Sequence, residues 1–411
     1  MKNYNRLIAW LLTFMIAFTF ILPVMPAYAS SSPTDKLTST VTTNADNTKE
    51  AVPGSSLVDM LLSMMGKFFG DILTLPQNIT KQIKFPTEMT TNSPKELIGF
   101  YAEWWATDTS SYNSLYSNVD IIKTIASFWA TLGEDGTITD RGGNDHDSVV
   151  NFAHKNNVSV LLLVNNAKEQ ENKSPIHAIL ATPSLRTKAI DSLETYIKKY
   201  KLDGINIDFE MVDAQDRDNL SAFMQELSAR LKPQGYIISI DVFPKQDESN
   251  DVSIAYDYSQ LAKYADKIIL MTYDNHGTWS SAGPIADIDW VEKNLKYALK
   301  FISKNKLYIG LAAYGYDWSS KGVESLEYSA IMNLVQRFNS SVLWDEPSKS
   351  PHFDYTDADG ISHQVWFENS ESLKNKIALV NKYDIAGAAM WKLGEEDPSS
   401  WQALKSVFWK K

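Results

Sequence analysis

The chain has 411 residues, of which 44% are hydrophobic and 22% are charged, so it can bury a large core. Its formal net charge of −11 argues against nucleic acid as a partner, and the absence of cysteine excludes disulfides, thiolate metal sites and a cysteine nucleophile. The length fits two or three average domains, or one barrel-sized domain with additions. The 12 Trp and 19 Tyr suit sugar binding by flat rings, although large cores also use aromatic residues.

Residues 1–29 have the three parts of a secretory signal peptide. Lys2 and Arg6 supply positive charge, an apolar run follows over 7–22, and Ala27 and Ala29 form a small-residue cleavage site. We therefore expect a secreted or cell-surface protein, and the alternative is an uncleaved membrane anchor. Export without any cysteine fits a Gram-positive bacterium.

Residues 30–94 are predicted to form a linker that contains one amphipathic helix. The segment 30–54 is rich in Ser, Thr, Asn, Asp and Pro, a composition typical of disordered chain. Ser56 to Leu75 then carries apolar residues at helical spacing. This helix either packs against the main domain or associates with a membrane, the cell wall or a partner through residues 57–75.

Over 95–411, apolar strands alternate with helical patterns. Helical spacing covers 184–200, 216–231, 258–265 and 289–303. Eight strand patterns in about 300 residues predict a (β/α)8 TIM barrel of the α/β class rather than a doubly wound sheet. The strand patterns lie at 97–105, 125–132, 158–165, 203–210, 236–243, 267–274, 306–315 and 384–391.

The fourth of these strands carries acids in an alternating pattern. Asn206, Asp208 and Glu210 share one face, because successive side chains of a strand point to opposite sides. Two acids and an amide on one face of a buried strand are costly unless they are hydrogen-bonded or used by the protein. A polar edge strand is the alternative, but the flanking pattern predicts a central strand. Other strands also end in polar or aromatic residues, and in a barrel these ends surround the active-site mouth: Glu103, Trp104, Asn165, Asp241, Tyr273, Asp274, Tyr314 and Trp391.

The connection between the last two strands is much longer than an ordinary loop. Residues 319–341 have a mostly helical pattern, and short aromatic strands flank a turn at Asp359-Gly360. We predict a small α+β insertion over 318–383 between strands 7 and 8. It would form one wall of the cleft and deepen it for a chain-like substrate.

The segment 203–210 (Asp-Gly-Ile-Asn-Ile-Asp-Phe-Glu) resembles the Asp-x-x-Asp-x-Asp-x-Glu signature of glycoside hydrolase family 18, the chitinase-like hydrolases. The segment 271–274 (Met-Thr-Tyr-Asp) looks like that family's Met-x-Tyr-Asp motif, and Trp391 matches its tryptophan on the eighth strand. The predicted insertion resembles the family's α+β subdomain, and 364–372 is most similar to bacterial spore and cell-wall N-acetylglucosaminidase members. One residue departs from the signature, since Asn206 stands where the family has an aspartate.

The resemblance implies roles for the matching residues. Glu210 would be the general acid that protonates the glycosidic oxygen, a role that needs a raised pKa. Asp208 would orient the 2-acetamido group of the substrate, whose oxygen is the nucleophile in this family, and Tyr273 would hydrogen-bond that group. Glu210 would then deprotonate a water, so that the anomeric configuration is retained. The resemblance also implies a structural role for Asp203 and substrate contacts by Asp274, Trp391, Met271, Tyr314, Trp104 and Asn206.

Asn206 alters the expected behaviour of Asp208. An amide cannot titrate, but it can hydrogen-bond Asp208 and hold its orientation. We expect Asp208 to stay ionised over a wider pH range than it would beside a second carboxylate, because like-charge repulsion is removed. Activity should survive with a shifted pH profile.

No metal and no cofactor are expected. The six histidines have no ligand spacing, and no Gly-rich phosphate loop precedes a helix. We expect a monomeric enzyme of the chitinase or endo-β-N-acetylglucosaminidase type that cleaves β-1,4 bonds next to N-acetylglucosamine in peptidoglycan, spore cortex or chitin. One alternative is a catalytically inactive, lectin-like carbohydrate-binding barrel, which the presence of Glu210 disfavours. Another is a transglycosidase or wall-remodelling factor anchored through 57–75.

Overall fold

The structure is a computed structural model that describes residues 95–143, 145–166, 176–249 and 252–408. The predicted signal peptide, the linker over 30–94 and its amphipathic helix lie outside these residues. None of the helices in the described ranges is long and apolar enough to cross a membrane.

Parallel strands close into a barrel, as predicted. Each strand pairs in parallel with the next, and the last strand pairs with the first, so the sheet has no open edge within this ring. A short strand, β3 (Ile138–Asp140), extends the second strand antiparallel at its carboxyl end. The barrel strands are β1 (Glu96–Tyr101), β2 (Ile122–Leu132), β4 (Ser159–Asn166), β5 (Gly204–Asp208), β6 (Ile237–Val242), β7 (Lys267–Leu270), β8 (Leu307–Ala312) and β14 (Gly387–Trp391).

Most of the helices cover the outside of the barrel, and the helix before β8 shows how an apolar face is buried against it. The helix Ile288–Ala298 begins at Asp287, whose side chain accepts a 2.9 Å hydrogen bond from the backbone N–H of Trp290. It buries Val291, Leu295 and Ala298, which share one face at helical spacing. The helices are α1 (Ser110–Asn118), α2 (His146–Lys155), α3 (Ile176–Ala181), α4 (Pro183–Lys199), α5 (Arg217–Leu231), α6 (Tyr258–Tyr264), α7 (Ile288–Ala298), α8 (Tyr328–Arg337), α9 (Ser370–Lys382) and α10 (Ser400–Phe408).

Side chains fill the barrel interior and close its amino end. Alternate residues of β1, among them Ile98 and Phe100, point inward and are buried. At the amino end, Glu96 accepts hydrogen bonds from Lys267 at 2.5 Å and from the Tyr308 hydroxyl at 2.6 Å. Burial alone would raise the pKa of Glu96, but Lys267 and the hydrogen bonds bring it below its ordinary value. The amino end of the barrel thus contains an ion pair between Glu96 and Lys267. The open cavity of the barrel lies at the opposite end.

An insertion between β8 and β14 forms a second, antiparallel sheet, as predicted. Its strand order is β10-β9-β13-β12-β11, and β12 and β13 form the predicted hairpin around Asp359-Gly360. Helix α8 packs on one face of this sheet through Ile331, against Phe353 and Phe367. The strands are β9 (Tyr314–Ser319), β10 (Gly322–Glu327), β11 (Leu343–Asp345), β12 (Ser350–Thr356) and β13 (Ser362–Phe367).

The insertion differs from the sequence prediction in two respects. Residues 319–341 are only partly helical, because 322–327 pair antiparallel with β9 as an exposed edge strand. Hydrogen bonding to β9 stabilises the extended conformation of this segment, although its polar sequence has a low intrinsic propensity for a strand. The insertion sheet begins at Tyr314, and α9 packs against β8 and β14 of the barrel. The predicted range of 318–383 thus includes a helix that covers the barrel.

Candidate active site

A cavity of about 440 Å³ opens at the carboxyl ends of the barrel strands. This volume lies in the range of small-molecule and sugar-unit sites. Barrel strands supply its floor and acids, and the insertion supplies one wall through Tyr316 and Ser325. The lining residues are Phe100, Trp104, Asp208, Glu210, Asp241, Tyr273, Asp274, Tyr314, Tyr316, Ser325, Trp391 and Glu395.

A second cavity, of about 470 Å³, lies within the insertion. In its lining, Asp317 accepts a 2.6 Å hydrogen bond from the Tyr355 hydroxyl and lies 2.9 Å from His363 Nδ1, so this buried acid is already paired. The barrel cavity instead gathers acids from three neighbouring strands and their ends. We therefore take the barrel cavity as the candidate active site.

Glu210 lies just beyond the end of β5, with its backbone fixed from the neighbouring strand. The side-chain amide of Asn166 accepts a 2.8 Å hydrogen bond from the Glu210 N–H and donates a 2.9 Å bond to the Glu210 carbonyl. Met211 follows with a φ of 52°, a conformation that non-glycine residues adopt rarely and mostly at functional sites. The carboxyl of Glu210 is half-buried and faces the cavity. Asn166 was missed in the sequence, although two consecutive asparagines at a strand end are an unusual signal.

Asp208 has a second carboxyl beside it, contrary to the sequence-based expectation. The amide of Asn206 donates a 2.6 Å hydrogen bond to Oδ2 of Asp241, on the adjacent strand β6. Burial raises the pKa of Asp241 well above its ordinary value, and the negative charge of Glu210 adds to the increase. Hydrogen bonds with Asn206 and Asp208 oppose it. Although position 206 carries an amide, Asp208 therefore still has a carboxyl neighbour, which is Asp241 on the adjacent strand β6.

Tyr273 and Asp274 follow β7 and close another side of the cavity. Asp274 has a φ of 58° and accepts hydrogen bonds from the hydroxyls of Tyr314 at 2.5 Å and Tyr316 at 3.0 Å. Burial raises the pKa of Asp274, and the two tyrosine hydrogen bonds oppose this change. Burial also raises the pKa of Tyr273 well above 10, and the charges of nearby acids add to it. The Tyr273 hydroxyl is therefore a stable hydrogen-bond donor.

Aromatic rings form the floor and the edge of the cavity. Trp391 ends β14 half-buried, with its ring centroid 5.3 Å from that of Phe100 in an edge contact. Trp104 is 46% exposed, and its centroid lies 6.4 Å from that of Trp391. Flat ring faces at a polar cavity suit the apolar faces of sugar rings.

Three of the predicted site residues lie away from the cavity wall. Met271 and Asn206 are 6% and 0% exposed and are absent from the lining, so their predicted substrate contacts have no direct geometric support. Asp203 accepts a 2.7 Å hydrogen bond from the Val160 N–H and lies 2.9 Å from Nε2 of His154. It thus ties β5 to β4 on the helix-facing side, a geometry that fits the structural role predicted for it.

The cavity also contains residues that the sequence analysis did not include among the site residues. Tyr316 was a detectable omission, since Tyr314, Tyr316 and Trp318 alternate at period two and lie on one face of β9. Ser325 and Glu395 carry no sequence signal of this kind. They reach the cavity because of how the insertion sheet and the loop after β14 fold. Phe100 is a further addition, and Asp241, which the sequence analysis placed at the barrel mouth without giving it a role, also lines the cavity.

Comparison with known proteins identifies the family to which the chain belongs. The family model for glycosyl hydrolases family 18 matches residues 78–396. The chain is 30% identical over 325 residues to a Bacillus subtilis protein described as an uncharacterized glycosylase, YvbX, covering 77% of this chain and 94% of that one. It is 28% identical to the cortical fragment-lytic enzyme of Bacillus anthracis, covering 69% and 67% of the two chains.

Solved structures have the same fold. The chitinase of Chromobacterium violaceum superimposes with a TM-score of 0.71 at 28% identity, covering 77% of this chain and all of that one (100%). The spore cortex-lytic enzyme SleL of Bacillus cereus gives a TM-score of 0.70 at 25% identity, covering 76% and 74%. Together with a family match over most of the chain, these similarities show that the chain belongs to glycosyl hydrolase family 18 and is a glycoside hydrolase.

Proposed function

We propose that this glycoside hydrolase is exported and cleaves β-1,4 bonds next to N-acetylglucosamine by a retaining, substrate-assisted mechanism. The observation that carries the proposal is the convergence of Asp208, Glu210 and Tyr273 on one cavity with aromatic walls. An acid, an anion and a phenol donor at one point can serve the three requirements of this reaction: a proton for the leaving group, a partner for developing positive charge, and a donor for the acetamido group.

Glu210 is the proposed general acid and base. Its backbone is fixed by Asn166, so its carboxyl projects into the cavity from the rigid end of β5. It protonates the glycosidic oxygen as the bond to the anomeric carbon breaks. It then takes a proton from the water that attacks the same carbon, and the anomeric configuration is retained.

Asp208 and Tyr273 are the proposed partners of the 2-acetamido group. The acetamido oxygen attacks the anomeric carbon, and a cyclic, positively charged intermediate forms. Asp208 is 7% exposed and faces the cavity, where an anion stabilises that charge more strongly than it would in water. Tyr273 stays protonated, so it can donate a hydrogen bond that orients the group.

The substrate class follows from the acetamido requirement and from the relatives. Cortical fragment-lytic enzymes and chitinases are both among the similar proteins, and di-N-acetylchitobiase of Homo sapiens is 26% identical over 243 residues. Peptidoglycan, including spore cortex, and chitin both supply N-acetylglucosamine chains. The signal-like segment 1–29 supports export to such a wall or matrix.

Hydrolysis assays on the full chain test this proposal. Wild type should release reducing ends from chitin oligomers or from peptidoglycan glycan strands, and the substrate that is cleaved identifies the polymer. Glu210→Gln should lose about 10²–10⁴-fold in kcat, the usual contribution of general acid–base catalysis. Glu371→Gln is the matched control, because Glu371 is 59% exposed on α9.

The anomeric form of the first product is the test of the retaining mechanism. Proton NMR during early turnover should show the β-anomer before mutarotation. An α-anomer first would contradict substrate assistance while leaving the hydrolase intact. Binding of both polymers without turnover of either would instead support a lectin-like barrel.

A further inference from the structure

Asp241 is a fully enclosed carboxyl with an unusual set of neighbours. It lies on β6 with 1% of its surface exposed. Its Oδ2 accepts a 2.6 Å hydrogen bond from Asn206, whereas its Oδ1 has no hydrogen-bond donor among the described residues. Its other bonding partner is the carboxyl of Asp208. An ionised carboxylate in this position would keep one oxygen buried without a donor and directed among other acids.

Two carboxyls in contact at a buried site cannot both be ionised, so the pair holds one proton. Other titratable groups around this site are Glu210, beyond the end of β5, Tyr256, and the pair Tyr273 and Asp274 after β7; none of them is a cation. Their presence favours retention of the proton. Both carboxyls line the cavity, and Asp241 is the more completely buried of the two, at 1% against 7% exposure. A hydrogen bond from Asp208 would favour the Asp241 anion, but burial, the largest influence on Asp241, outweighs it, so the proton belongs on Asp241 and the negative charge on Asp208.

We infer that Asp241 is a positioning residue, which holds the shared proton and donates it as a hydrogen bond to keep Asp208 anionic and aimed at the acetamido group. The second carboxyl of the site thus comes from β6, since the amide of Asn206 cannot supply it. Asn206 orients Asp241 and acts on Asp208 through it. Burial raises the pKa of Asp241 well above its ordinary value, which is the direction that retention of the proton requires. The role in catalysis rests on the proposed function, whereas the shared proton does not.

Infrared difference spectroscopy on the full chain tests the shared proton without any substrate. The spectrum of wild type minus Asp241→Asn at pH 7 should contain the carbonyl stretch of a protonated carboxylic acid. Asp203→Asn is the control. This variant should retain the band, so the band should cancel in the spectrum of wild type minus Asp203→Asn, because Asp203 accepts from a backbone N–H and lies next to His154. Asp241→Asn is nearly isosteric, so it should keep the fold by circular dichroism. Absence of the band from the Asp241→Asn difference would overturn the proposal.

The pH dependence of kcat tests the positioning role. Asn at 241 would donate an amide N–H to Asp208, which stabilises an anion less than the O–H of a carboxylic acid. The acidic limb of the profile should therefore move to higher pH by about one unit in Asp241→Asn. A limb that stays in place would contradict the role in catalysis.

A swap variant provides the rescue. Asn206→Asp combined with Asp241→Asn returns one carboxyl to the cluster with unchanged total charge. The acidic limb should move back toward its wild-type position, and a limb that remains displaced would contradict the shared-proton explanation. If the infrared band behaves as expected but no glycan is cleaved, the proposed function fails and the proton pair stands.

Discussion

Gly310 shows how a single residue position makes room for Tyr273, a proposed catalytic side chain. It lies on β8, where a Cβ would be 2.7 Å from Cε1 of Tyr273 and 3.0 Å from the carbonyl oxygen of Leu270. Carbon atoms do not approach so closely without displacement. The ring of Tyr273 therefore occupies space that only glycine leaves free, and the phenol reaches the cavity from that position.

Gly310→Ala should lower kcat by roughly 10²-fold, because a displacement of about 1 Å in a catalytic group has effects of this size. Steady-state kinetics on the cleaved glycan would measure the loss. Gly133→Ala is the matched control, since a Cβ there meets its nearest atom at an ordinary 3.4 Å. Equal kinetics in the two variants would show that Tyr273 either tolerates the shift or takes no part in the reaction.

Asp241 should also leave a signature in the stability of the protein. Its pKa is raised in the folded state above the ordinary value of 3.8, so the folded chain binds this proton more tightly than the unfolded chain. This contribution is fully present below the unfolded pKa and is lost as pH rises toward the folded pKa. The loss is about 1.4 kcal/mol for each pH unit within that window.

Asp241→Asn should therefore gain stability relative to wild type as pH rises above the ordinary value of 3.8 toward the folded pKa. Urea unfolding of both proteins at several pH values would give the difference in the free energy of unfolding. Asp203→Asn serves again as control and should not reproduce this trend. A difference that is constant with pH would mean that Asp241 has the same pKa in both states.

At the scale of elements, a buried ion pair links the insertion to the barrel layer. Glu368 follows β13, and Lys376 lies on α9, with Nζ 2.9 and 2.8 Å from the two carboxylate oxygens. The side chains are 0% and 1% exposed. Burial raises the pKa of Glu368, and the charge of Lys376 opposes it. Such a pair is expensive to break, although an apolar pair can replace it at little cost.

Lys376→Met should reduce the free energy of unfolding by about 3–5 kcal/mol, because it leaves Glu368 buried without its cation. The double variant Glu368→Leu with Lys376→Met should recover most of that loss. Urea unfolding would measure both, with Lys374→Met as control, since Lys374 is 55% exposed and its ion pair spans 3.8 Å. Additive losses in the double variant would indicate that packing, rather than charge, holds α9 in place.

Elements differed in how far the sequence could predict them. The barrel strands were predictable because both of their faces are buried, which produces continuous apolar runs such as 160–164. The acids of β5 were found because strand alternation is a local pattern. Strand β10 has no such pattern and exists because β9 offers it hydrogen bonds.

The link between Asn206 and Asp241 could not be predicted for a related reason. It depends on the register between β5 and β6, in which Asn206 pairs with Ser239, two residues before Asp241. These strands are separated in sequence by α5, so no local spacing reveals which side chains meet across them. The polar residues at the strand ends could therefore be predicted from the sequence, but which of their side chains contact each other could be seen only in the structure.

At the scale of the whole molecule, the candidate active site adds to a general excess of acids. The chain has a net charge of −11, and five of the cavity-lining residues are acids: Asp208, Glu210, Asp241, Asp274 and Glu395. Asp241 holds a proton, Glu210 carries one as the proposed general acid, and Glu395 lies 3.3 Å from Lys392 Nζ, so the field at the cavity comes from Asp208, Asp274 and the charge of the whole chain. A low-dielectric cleft focuses the field of such groups. A neutral chitin chain experiences little of this field, whereas peptidoglycan strands carry carboxylates on their lactyl or peptide substituents and are repelled as they approach.

Salt should therefore affect the two substrate classes differently. Raising the ionic strength from about 0.01 M to about 0.15 M shortens the screening length from about 30 Å to about 8 Å. The KM for carboxylate-bearing glycan strands should fall several-fold while kcat stays constant, and chitin oligomers should show no change in either. Initial rates at matched glycan concentrations would measure this, and chemical amidation of the strands' carboxylates should remove the salt effect. A KM for charged strands that is insensitive to salt would mean that cations in or near the cleft offset the acids, so that wall glycans are met by a locally neutral surface.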